Sequence, residues 1–185
     1  MRRARKQTVT RPALIVDGSD SEFRQLVHDL LAFSGRIEAI RNRFGERIGL
    51  TGRQYTILIT IAHLQGSEGT GITAVSTHLH LSGAFVTTEV NRLIALDLVE
   101  KELDAEDRRR VRLSVSAAGF MRLDELARCQ AQVNDALFDC LDRPDFQALR
   151  RIFSELVDCA DKAQMLQSYL DGIEAPSKRV ANKDR

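Results

Sequence analysis

Four arginines fall within five positions, Arg108, Arg109, Arg110 and Arg112, in the stretch DAEDRRRVRLSVSAAG at 104–119. Guanidinium groups stay charged at physiological pH and carry planar donor forks that match phosphate and carboxylate oxygens, so a cluster this dense suits a polyanion. The net charge of +1 does not argue against that, because the average hides the distribution. Of 27 basic residues, Arg2, Arg3, Arg5, Lys6 and Arg11 precede the first acid, Asp17, which leaves 22 basic against 26 acidic residues in the rest. On that mildly acidic body the arginine run is a strong local field.

Other reactive groups are sparse. His78 and His80 form an HxH pair, and Cys129, Cys140 and Cys159 supply thiols, both ligand types that transition metals accept. The histidines fall at a turn and the cysteines on distant helical segments. His80 therefore reads as a turn residue, Cys129 and Cys159 read as core fillers, and a metal- or cysteine-sensing protein stands as an alternative. No nucleophile elbow, phosphate-cradling glycine loop or HExxH motif occurs, and the acids scatter over helical faces, so neither catalytic residues nor a metal or cofactor is expected.

The elements that must hold these groups follow from periodicity. With 43% hydrophobic and 29% charged residues, no Trp and three Pro, the 185-residue chain reads as one mainly helical domain, or two small ones sharing a core. Three cysteines without CxxC spacing do not make a disulfide framework, and a reducing cytoplasm fits best. The segment 69–88 lacks Asp, Glu, Lys and Arg, but three glycines, two histidines and seven hydroxyl residues make it a poor membrane span.

Phe23, Leu26, Val27, Leu30, Leu31, Ile37, Ile40, Phe44 and Ile48 recur at helical steps and predict a long amphipathic helix over about 21–48, capped by Asp20 or Ser21. Thr51 and Gln54 have capping-box spacing and open a second helix, about 52–65. A short helix over about 73–79 follows, and Ser82 caps another running to about Leu96. Leu98–Leu103 and Val111–Val115 alternate like strands, with Val111, Leu113 and Val115 on one face of a hairpin. Ser116 then caps a long helix reaching about Leu141, and Pro144 fits the first turn of a last one.

Helix, short helix, helix and basic-tipped hairpin make a winged helix-turn-helix arrangement. The expected fold is mainly α with a small two-stranded β wing. It divides into a flexible basic arm (1–18), a helical region (19–50 and 116–171), a winged helix-turn-helix lobe (51–115) and a disordered tail (172–185).

The hairpin resembles the wing signature of the MarR-type transcriptional regulators, with Asp104, Asp107, Arg108, Arg109, Ser116 and Gly119 in the signature places. LTGRQYTIL is similar to the family's start of the second helix, and VTTEVNRL to its recognition-helix core. The chain departs from the family at Asp97, where Gly is common, and at Glu89, where an apolar residue is common; Glu89 must either pair with a cation or turn the helix slightly.

The resemblance implies a cytoplasmic homodimeric regulator, most often a repressor, with 19–50 and 116–171 as its dimerisation region and 51–115 as its DNA-binding lobe, binding a palindromic double-stranded DNA operator and released by a small effector. It implies that Thr87, Thr88 and Asn91 face the major groove, with Ser82 on phosphate near the helix start. Arg109 would enter the minor groove, Arg108, Arg110 and Arg112 would serve the backbone, and Asp107 would brace an arginine. Arg92 would contact phosphate or tie the helix to the wing. Arg43, Phe44 and Tyr55 would fall near a pocket for a small aromatic acid. A winged-helix protein-interaction module without a DNA role is the competing reading.

Overall fold

In the computed structural model the described residues are 6–103 and 111–174. Asp104, Asp107, Arg108, Arg109 and Arg110 lie outside them, as do residues 1–5 and 175–185. Two compact units divide the chain, Met1–Ala131 and Gln132–Arg185.

The first unit opens with a folded segment where composition suggested a free arm. A 3-10 turn at Pro12–Leu14 leads to an antiparallel bridge between Val16 and Ser19. The Thr8 backbone N–H and hydroxyl both donate to Asp20 Oδ2, at 2.7 and 2.8 Å. Helix α1, Ser21–Arg47, follows. Asp20 occupies its N-cap position but makes no side-chain cap bond, because its buried carboxylate is committed to Thr8 and to the Arg24 guanidinium.

Helix α2, Gly52–Leu64, starts with the complete capping box: Thr51 Oγ1 accepts from Gln54 N–H at 3.2 Å and Gln54 Oε1 accepts from Thr51 N–H at 3.0 Å. That reciprocal bonding satisfies two otherwise orphaned helix donors. α1 packs on α2 through Phe44, Ile48 and Leu50, at a crossing where a Cβ on Gly45 would sit 2.9 Å from the Thr51 carbonyl oxygen. α3, Ile72–Leu79, ends at His80, whose φ of 51° is left-handed and lets Leu81 N–H bond the Ser76 carbonyl at 3.0 Å.

α4, Gly83–Ala95, is capped by Ser82, whose Oγ accepts from Phe85 N–H at 3.2 Å. After it Asp97 takes φ 60°, the left-handed position that favours glycine. β1, Val99–Leu103, and β2, Val111–Val115, pair antiparallel, Val99 opposite Val115 and Leu103 opposite Val111. Leu113 and Val115 join a core made with Tyr55, Ile57, Leu58, Ile61, Val75, Val86, Val90 and Leu93. Thr70 adds a bridge to the free side of β2, exchanging both backbone bonds with Leu113 at 2.7 and 2.9 Å.

The expected single helix over 116–141 is broken in two. α5, Ala117–Asp124, and α6, Ala127–Leu137, flank a tight turn at Glu125 and Leu126. Leu126 N–H bonds the Leu123 carbonyl three residues back, and the turn buries Leu126 to 2% exposure. No Gly or Pro stands there; burial of one leucine outweighs helix continuity.

In the second unit α7 spans Arg143–Glu174, with Pro144 in its first turn and Asp142 Oδ1 accepting from Asp145 N–H at 2.8 Å. It continues past residue 171, into the segment expected to be a tail. Cys159, expected as a core filler, is exposed on it, as are its neighbours along the helix. Among the described residues no helix is long and apolar enough to cross a membrane.

Candidate nucleic-acid interface

The two faces of α4 separate cleanly. Val86, Glu89, Val90 and Leu93 are buried, whereas Thr87, Thr88, Asn91 and Arg92 are exposed together on the outer side. Thr87 Oγ1 donates to the Gly83 carbonyl at 2.8 Å and Thr88 Oγ1 to the Ala84 carbonyl at 3.0 Å. Each hydroxyl thus spends its proton on the helix and turns lone pairs and a methyl group outward. Asn91 adds both donor and acceptor on the same face. The Ser82 hydroxyl, expected on phosphate, is engaged as the helix cap.

Arg92 Nη1 donates to Glu89 Oε1 at 2.6 Å, so Glu89 does pair with a cation, on its own helix. At the wing, Arg112 Nη1 donates to the Glu68 carbonyl oxygen at 3.3 Å and lies 3.7 Å from the Glu68 carboxylate. Arg112 is therefore bound to the loop before Thr70. Asp107, Arg108, Arg109 and Arg110 fall outside the described residues.

The expected effector residues are placed differently from the nearest groove. Phe44 and Tyr55 are buried edge to face, with ring centroids 6.0 Å apart, and Arg43 is exposed. Burial pushes the Tyr55 hydroxyl above its ordinary value of 10.0, while the charge of Arg41 pulls it down. None of the three lines the groove of about 270 Å³ formed by Ile37, Glu38, Arg41 and Asn42 of α1, Arg53 and Thr56 of α2, and Leu79 and Leu81 beside α3. Arg53 pairs loosely with Glu38 across it, at 3.5 Å. Sequence reasoning missed this site, although Glu38, Arg41 and Asn42 share one side of α1 by their three- and four-residue spacing.

His63 and His78 lie with ring centroids 5.9 Å apart. Among the described residues no group of three or more His, Cys, Asp or Glu side chains is placed to hold a metal ion.

A family model described as MarR family matches residues 48–110, the segment from the end of α1 to the wing. No curated protein matches the chain. Among solved structures, CouR from Rhodococcus jostii RHA1 bound to p-coumaroyl-CoA is similar at 19% identity and a TM-score of 0.65, over 75% of this chain and 96% of that one. A mutant MarR from E. coli complexed with operator DNA is similar at 14% identity and a TM-score of 0.58, over 73% and 95%. A MarR/EmrR family transcriptional regulator from Acinetobacter sp. ADP1 gives 14% identity and a TM-score of 0.63, over 75% and 96%. At such identities the structures speak for the fold, a MarR-type winged helix, and the family model's match is to the winged lobe at 48–110.

Proposed function

We propose that this protein is a DNA-binding transcriptional regulator, a repressor that binds a palindromic operator as a homodimer and lets go when a small aromatic acid binds. The observation that carries the reading is α4, whose exposed row of Thr87, Thr88, Asn91 and Arg92 is polar, unobstructed and opposite a tightly packed inner face. A helix enters the major groove with such side chains against base edges, and a cationic wing holds the backbone alongside.

Three features support the dimer. Leu26, Val27 and Leu31 are exposed on α1, and Phe120 and Met121 on α5. On α7, Leu149, Ile152, Leu156, Cys159, Ala163, Leu166, Leu170 and Ile173 alternate three- and four-residue steps, the seam of a coiled coil. Nearly all of that seam is exposed in a single chain, which suits a second copy. Two recognition helices one DNA turn apart, about 34 Å, then select paired half-sites.

For the effector, Arg41 and Arg53 line the groove together with the apolar Ile37, Leu79 and Leu81, a combination fit for a carboxylate on a ring. Leu81 adjoins Ser82, the cap of α4, so an occupant of the groove acts directly on the start of the recognition helix. Release requires that the ligand favour the non-binding arrangement over the binding one.

The test is selection of duplexes from a random-sequence library followed by anisotropy titration. A dimer with a preferred inverted repeat is expected, and Arg109→Ala should weaken binding and lower the salt slope by about one unit. A monomer without affinity for DNA at low salt would instead favour the protein-interaction module.

A further inference from the structure

Glu89 is a carboxylate on the inner face of the recognition helix, 5% exposed and flanked there by Val86, Val90 and Leu93. Its Oε1 accepts from Arg92, and its Oε2 is buried with no hydrogen-bond partner among the described residues. An apolar side chain would fill that place at lower cost, because a buried charge is tolerated only through its partners.

What the carboxylate provides is control of Arg92. The Arg92 side chain is 61% exposed, one turn after Thr88 and beside Asn91, while its guanidinium is anchored from beneath. An unanchored arginine on a helix surface samples many rotamers; an anchored one holds its remaining N–H groups in a set direction. Those remaining donors match O6 and N7 of guanine in a major groove. A contact with phosphate draws mainly on charge, and Glu89 offsets that charge. A pinned, charge-compensated fork is suited to reading a base.

We propose that Arg92 reads a guanine in the operator and that Glu89 is the positioning residue that aims it. The proposal rests on α4 being the helix that enters the major groove, and it goes beyond that reading by assigning base specificity to one side-chain pair.

The wild-type protein is first used to select duplexes from a random-sequence library. If none is enriched, the DNA-binding reading falls and this proposal with it. With a selected duplex in hand, wild type, Arg92→Lys, Glu89→Gln and the double variant are titrated against it and against each single base-pair substitution, over a range of salt. Arg92→Lys keeps the charge and loses the fork; it should cost roughly 10- to 100-fold on the selected duplex and flatten the preference at one G·C pair, leaving the salt slope unchanged. Glu89→Gln should flatten the same pair more weakly and add nothing in the Arg92→Lys background. Thermal melts of each variant separate these effects from misfolding, and Glu89→Gln retains the volume and an acceptor. A uniform loss on every duplex with a changed slope would make Arg92 a phosphate cation and overturn the proposal. So would a Glu89→Gln effect at another base pair, or one undiminished in the double variant.

Discussion

The hydroxyl of Ser116 donates to the carbonyl oxygen of Asp97 at 2.6 Å, tying the end of the wing to the residue that precedes it. Ser116 Oγ in turn accepts from Gly119 N–H at 2.9 Å and so caps α5. One side chain thus closes the base of the wing and starts the next helix. Ser116→Ala should cost about 1–2 kcal/mol and lower Tm by about 2–8 °C, measured by calorimetry. A Tm within 1 °C of the parent would show that the cap carries no such weight.

Asp97 holds φ 60° to turn the chain from α4 into β1, with Leu98 N–H bonding the Leu93 carbonyl at 2.9 Å. Replacement by glycine removes the steric penalty of a Cβ in that region, and Asp97→Gly should stabilise by up to about 1 kcal/mol. Asp97→Val should destabilise by more than that. Urea midpoints of the two variants, falling on opposite sides of the parent, would bear this out.

The Asp20 carboxyl is held below its ordinary value of 3.8, first by the Thr8 backbone N–H, with burial opposing and the Thr8 hydroxyl and Arg24 assisting. A carboxyl depressed in the folded state contributes stability above its unfolded value and loses it as pH falls through the folded one. Asp20→Asn should therefore be less stable than the parent at neutral pH, and the gap should close as pH drops below 3.8. The amide exchange of Thr8 gives a local readout: faster in Asp20→Asn at neutral pH, and converging with the parent in acid.

Cys159 stands within the apolar seam of α7. If that seam meets its counterpart in a second copy, a thiol oxidant should link two chains through Cys159. Non-reducing electrophoresis should show a covalent dimer that survives Cys140→Ser and disappears in Cys159→Ser. Sedimentation as a monomer would refute the seam as an interface.

Sequence patterns told much of this architecture because its signals are local. Thr51 with Gln54, Ser82 and Ser116 announce three helix starts by bonds made within four residues. The alternation of Val111, Leu113 and Val115 reveals the buried face of β2 in the same way. The break at Leu126 was hidden because it depends on where one leucine finds a core, which periodicity does not encode. Asp20 looked like a cap, but the return of Thr8 from twelve residues away, together with the Arg24 guanidinium, diverts it. The exposed row on α4 was readable from helical spacing, whereas the groove of Arg41 and Arg53 needed two helices and a turn to come together.

At the far end of α2, Gln65 Oε1 accepts from the Val115 backbone N–H at 2.7 Å, just where Thr70 pairs with Leu113. The wing root is thus grafted onto the helix that forms one wall of the groove, fifty residues away in sequence. Mechanically, α2 is an axle with the groove near one end and the wing at the other. Because α2 packs on α4 as well as on β2, a displacement of α2 reaches the wing and α4 together.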